Sequence, residues 1–183
     1  ASFAQNRPGA NALLSMLPLK GVRDYCLGGG GFCQRADVDI GGQRLYLYNL
    51  RLDGGFFRYR QQLRDLFGPE LLGRYSDRCP QLLLGDFADP FTASLHFAWP
   101  ARPRRTPTPL WSGTFPARLP LFSRDRGYMQ GGLRILDCRV LHSSLAREAS
   151  THLPVSFTVQ MADSRQYLRV EKINNRRMET APG

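Results

Sequence analysis

Four polar points far apart in the chain could do chemistry together: Asn49-Leu50-Arg51 after "LYLY", Asp86 after "LLLG", Asp125 in "SRDRGYMQGG", and His152 in "LAREASTHLPVSFTV". Each is read as standing where a strand ends. Strand ends converge at one rim of a sheet, so acids and an imidazole from distant segments can meet there, and such a cluster is a candidate hydrolytic site. Asn49, Arg51, Arg124 and Arg126 would add donors for an anion, since an arginine presents a planar fork that suits phosphate oxygens. Each residue also has a plainer reading. Asp86 in "GDFADPF" can form an Asx-turn ahead of Pro90, Asp125 can pair with Arg124 or Arg126 on the surface, and His152 can cap its strand.

These points need strands to hold them, and apolar alternation marks six: 21–27, 32–40, 43–50, 81–87, 133–141 and 154–161. In the second, Phe32, Gln34, Ala36, Val38 and Ile40 share one face, and Arg35, Asp37 and Asp39 the other. The "GGQ" at 41–43 reads as a hairpin turn. From Phe56, the spacing of Tyr59, Leu63, Leu66, Phe67 and Leu71 predicts an amphipathic helix lying on a sheet. The stretch 100–120, "PARPRRTPTPLWSGTFPARLP", is too rich in proline for a regular element and reads as a long loop crossing the edge of a site. Residues 1–162 are taken as one domain and 163–183 as a basic, polar tail. The order of elements predicts a mixed α/β layout with antiparallel pairs.

The whole chain carries 25 Lys and Arg against 15 Asp and Glu, a formal charge of +10, and only Lys20 and Lys172 are lysines. A field of that sign favours polyanions such as nucleic acid or an anionic membrane surface, although an arginine-rich solvated surface accounts for the charge equally well. No stretch approaches the roughly 18 apolar residues of a membrane span, and there is no basic-then-apolar leader. A soluble protein is expected, with a cytoplasmic location favoured. The cysteines 26, 33, 79 and 138 form no C-x-x-C and sit near no histidine, so free thiols are expected and a zinc site is not, with a Cys26 to Cys33 bridge as the alternative in an oxidising compartment.

Several segments resemble, in order, the motifs of the endonuclease/exonuclease/phosphatase superfamily. "LLLGDFADPF" is similar to its strand plus "GDFN", and "ASTHLPV" to its closing "SDHLP". The segment "GTFPARLPLFSRDRGYMQGGLRILDCRVL" is similar to the "TFP…P…LDRIYVRGLRV" of bacterial members, "ANALLSMLPL" to "GNALLSRLPL", and "LYLYNLRLDGGFFRYRQQL" to the "NTHL" strand with its "R..QL" helix. The resemblance spans residues 10 to 160. It implies a four-layer α/β sandwich, with the N-terminal part of that domain missing here, hydrolysing phosphodiester or phosphomonoester bonds with Mg²⁺ or Mn²⁺. It also implies roles: His152 contacts the phosphate, Asp125 orients His152, and Asp86 activates water. The implied partners are nucleic acid or a phospholipid head group.

The sequence departs from that pattern where the metal and the water would be held. Ala88 stands in place of the asparagine of "GDFN", Thr151 in place of the aspartate of "SDH", a metal-site carboxylate, and Arg51 in place of the histidine of "NTHL". The asparagine and glutamate motifs that precede "GNALLS" have no counterpart. Loss of several groups that act as a unit leaves little turnover, so weak or absent hydrolysis is expected, with a non-catalytic phosphate or polyanion-binding module as the alternative, to which Arg102, Arg104 and Arg105 would contribute. A sandwich lacking part of one sheet would leave an apolar face exposed, which implies that the chain has reorganised, that a partner chain covers the face, or that the sequence is a fragment.

Overall fold

Period-two patterning produces a meander of long strands, and one amphipathic helix turns it into a mixed sheet. The computed structural model describes residues 2–4, 11–74, 79–88, 104–105 and 113–162. Along the chain lie β1 (Ser2–Ala4), β2 (Leu13–Ser15), β3 (Lys20–Leu27), β4 (Gly31–Ile40), β5 (Gln43–Arg51), α1 (Phe56–Leu66), β6 (Gln81–Asp86), β7 (Arg104–Arg105), β8 (Asp125–Gln130), β9 (Leu133–Val140), α2 (Ser144–Ala149) and β10 (Val155–Met161). One six-stranded sheet has the order β3-β4-β5-β6-β8-β7, and β1-β2 and β9-β10 form separate pairs.

Gly41 and Gly42 both have positive φ, the conformation that a two-residue hairpin turn asks of both central residues, and they join β4 to β5 in antiparallel register. β5 and β6 run parallel because α1 carries the chain back between them, and β6 then pairs antiparallel with β8. The apolar stripe of α1 (Tyr59, Leu63 and Leu66) packs on Tyr48, Leu50, Leu83, Phe87 and Tyr128 from one face of the sheet. Gln62, fully buried on the same helix, accepts from the Asp53 N–H at 2.9 Å, which ties the second half of the helix to the loop that follows β5.

The opposite face is covered by the β9-β10 hairpin. Leu45, Leu82 and Met129 of the sheet are buried with Leu133, and Ile135, Val159 and Met161 pack against them. This corrects the expectation of an apolar face left for a partner: none of Leu45, Leu82 and Met129 is more than 6% exposed. The described residues thus build three layers, α1, the six-stranded sheet and the hairpin. The outer side of the hairpin is polar and exposed at Arg134, Ser156, Thr158 and Gln160, and α2 packs at its end, where Ala146 meets Ala117, Leu153 and Val140.

Other expectations change for identifiable reasons. The charged face of β4 holds Arg35 and Asp37, which are buried as an ion pair at 2.9 and 3.1 Å, with the Arg35 guanidinium over the Tyr46 ring. Cys26 stands opposite Phe32, and Cys33 opposite Tyr25, so the two thiols fall on opposite faces of the β3-β4 pair and cannot bridge. All four cysteines are free, and burial, followed by the nearby Asp24 carboxylate, pushes the Cys33 thiol well above the ordinary range. The segment 144–149, for which the sequence pattern marked no element, is a short helix capped by the Ser143 hydroxyl, which accepts from the Ala146 N–H at 3.0 Å. Within the proline-rich stretch, Arg104 and Arg105 pair with β8 as a short edge strand. Arg102 and the tail 163–183 lie outside the described residues.

Candidate active site

Strand register assembles the candidate residues. Arg51, Asp86 and Asp125 are direct cross-strand neighbours on β5, β6 and β8, forming one row at the rim of the sheet. Asn49 and Arg51 lie inside β5, two residues apart and on one face, rather than beyond its end. Asp125 is the first residue of β8, a strand the alternation of the sequence did not mark.

His152 reaches this row from the turn between α2 and β10. Its backbone is pinned on both sides: Ala117 N–H donates to the Thr151 carbonyl at 2.7 Å, and Leu153 N–H donates to the Thr114 carbonyl at 2.8 Å. The imidazole Nδ1 lies 2.7 Å from Asp125 Oδ2, and Nε2 lies 4.0 Å from Asp86 Oδ2. With Asp125 accepting, the proton resides on Nδ1, and Nε2 faces the second carboxylate. The Phe115 ring packs on the imidazole at 4.8 Å between centroids, fixing its plane.

Asp86 is held by three hydrogen bonds from two partners. Its Oδ1 accepts from the Ala88 N–H at 2.9 Å, the Asx-type turn that the sequence allowed. Its two oxygens also accept from Arg124, Oδ1 from Nε at 3.1 Å and Oδ2 from a terminal nitrogen at 2.9 Å. The Arg124 guanidinium in turn lies over the Phe115 ring at 4.8 Å. Arg126 is 2% exposed, and its Nε donates to the Ser123 carbonyl at 2.7 Å, so it sits beneath the rim and not on it. Behind the row opens a cleft of about 380 Å³, lined by Asn49, Leu84, Asp125, His152, Val155 and Phe157 among others.

Three residues that the sequence did not single out complete the arrangement. Thr114, fully buried, accepts from the N–H groups of both Arg124 and Asp125 at 3.1 and 3.2 Å, setting where β8 begins. Phe115 braces both His152 and Arg124. Asn11 donates to the Asn49 carbonyl at 3.0 Å and to its side-chain oxygen at 3.3 Å, while Asn49 Nδ2 donates to the Ala12 carbonyl at 3.0 Å. The "TFP" and "GNALLS" resemblances carried Thr114, Phe115 and Asn11, but composition and spacing gave them no role.

The donor set does not fit a divalent cation. A Mg²⁺ or Mn²⁺ site needs free carboxylate oxygens, whereas both oxygens of Asp86 are engaged by Arg124 and Asp125 Oδ2 is engaged by His152. Among the described residues no group of three or more His, Cys, Asp or Glu side chains is arranged to hold a metal ion.

No sequence-family model and no curated protein matches the chain. Solved structures do. An endonuclease/exonuclease/phosphatase from Beutenbergia cavernae superposes with a TM-score of 0.61 at 15% identity, covering 81% of this chain and 46% of its own. A mannosyl-6-phosphatase of Bacteroides thetaiotaomicron gives 0.62 at 18%, covering 79% and 67%. The fold is that of the endonuclease/exonuclease/phosphatase proteins. D. rerio TDP2, solved with a single-strand DNA product, shares this endonuclease/exonuclease/phosphatase fold at 0.62 and 15% identity, covering 79% and 69%. The chain therefore spans between about half and just over two thirds of these structures. No helix among the described residues is long and apolar enough to cross a membrane.

Proposed function

We propose that the Asp86, Asp125 and His152 rim receives the phosphate of a phosphate ester and that the chain is a weak phosphoester hydrolase of the endonuclease/exonuclease/phosphatase type. The observation that carries this reading is the imidazole held by Asp125 at 2.7 Å with its other nitrogen turned to a second carboxylate. An aspartate on Nδ1 fixes the orientation of the ring, so Nε2 is presented to the phosphate at a set distance from the second carboxylate. Asp86 is the acceptor suited to a water proton, but Arg124 occupies it in the free protein. That engagement, with Ala88 and Thr151 in place of polar and acidic groups, accounts for a slow reaction.

The phosphate-bearing partner is read as nucleic acid or a phospholipid head group, with the arginines of the rim as its contacts; the DNA product bound to TDP2 favours the first. The test is hydrolysis of bis(p-nitrophenyl) phosphate by the purified chain and by His152→Ala. Slow turnover that falls by about 10²-fold or more, to background, in the variant is expected. Turnover that the substitution leaves unchanged would place the chemistry elsewhere and refute the assignment.

A further inference from the structure

We propose that this rim binds the phosphate group of an ester without a metal ion, with Arg124 as the exchanging cation: the guanidinium that grips Asp86 in the free protein transfers to the phosphate oxygens. This rests on the proposed function and deepens it by assigning the charge that holds the anion.

The argument begins with the row Arg51, Asp86, Asp125. The same sequence differences that remove metal-binding character add positive charge beside that row. Arg51 replaces a histidine of the resembling pattern, Thr151 replaces an aspartate, and Arg124 stands where the segment "LDRIYV" has leucine. All three shift local charge in one direction. A divalent ion would meet two guanidinium groups and carboxylate oxygens already taken, whereas a phosphate meets complementary charge.

Arg124 is suited to the exchange. Its Nε and terminal nitrogen form the parallel fork seen in arginine-carboxylate pairs, and the same fork matches two phosphate oxygens. The pair is reachable from solvent, with side-chain exposures of 27% and 19%, and the Phe115 ring beneath the guanidinium holds its plane while it changes partner. Its backbone is fixed, because the Arg124 N–H is bonded to Thr114. Released from Arg124, Asp86 has His152 Nε2 within 4.0 Å as its next partner. Anion binding then couples to a change at the imidazole.

The experiment titrates inorganic phosphate and phenyl phosphate into the full chain in EDTA, by calorimetry and by the His152 ring signals in NMR, and repeats it with excess Mn²⁺. Binding in EDTA, an affinity that Mn²⁺ changes by less than about twofold, and a shift of the His152 signals are expected. Arg124→Leu is expected to weaken binding by tenfold or more, and Arg124→Lys by less; the lysine variant serves as the measure if the leucine variant does not melt cooperatively. Phenyl phosphate binding at least as tightly as the free ion is expected, and binding of the free ion alone would overturn the proposal. So would binding that appears only with Mn²⁺, or binding that both Arg124 variants leave intact, although either leaves the phosphate-ester reading standing. No binding under any condition would overturn that reading as well.

Discussion

At Ala88 a left-handed backbone (φ 50°) is imposed on a residue whose methyl side chain has no polar group to compensate it. The conformation follows from Asp86, whose Oδ1 draws the Ala88 N–H into a turn. Asparagine, the residue of the resembling "GDFN" pattern, enters this region several times more readily than other non-glycine residues. Ala88→Asn is therefore expected to stabilise the fold by about 0.5–1 kcal/mol, read as a raised denaturant midpoint at unchanged slope. A lowered midpoint would show that the turn is not strained. The plain reading of Asp86 is realised, since one oxygen makes the turn, and the same carboxylate also pairs with Arg124 and lies 4.0 Å from His152 Nε2.

Among the elements, β6 depends on one glycine. Gly85 (φ 145°) lies directly opposite Leu50, and a Cβ there would collide with the Leu50 carbonyl oxygen. Since Gly85 joins Leu84 to Asp86, the close approach of β5 and β6 also sets where the Asp86 carboxylate emerges. Gly85→Ala is expected to cost roughly 2–5 kcal/mol from backbone strain and overpacking together and to lower Tm accordingly. An unchanged Tm would mean that the two strands can separate at no cost. Strands β3 to β6, β9 and β10 were legible because apolar residues recur along them. β8 was not, because Arg126, Gly127, Tyr128 and Met129 are all buried, and a strand covered on both faces loses its alternation. The six residues of α2 are too few for a helical period to emerge.

For the molecule as a whole, the order of motifs made the fold and the meeting of Asp86, Asp125 and His152 legible, whereas the Arg124 grip on Asp86 was not. That contact joins residues 38 apart and exists only once β6 and β8 are in register. The contacts that bring the rim residues together have the same character: His152 reaches Asp125 across 27 residues, and Asn11 reaches Asn49 across 38. No fragment of the sheet can present the row, so an anion that binds it binds the native state and not the unfolded chain. Folding and ligation become one linked equilibrium, and phosphate at 100 times its dissociation constant should add about 2.7 kcal/mol of stability, a rise of roughly 5–10 °C in Tm. A melt that is the same in phosphate as in an amine buffer of equal ionic strength would contradict this. A protein of this kind takes part of its stability from the solution around it, and its measured robustness is a property of the chain and the buffer together.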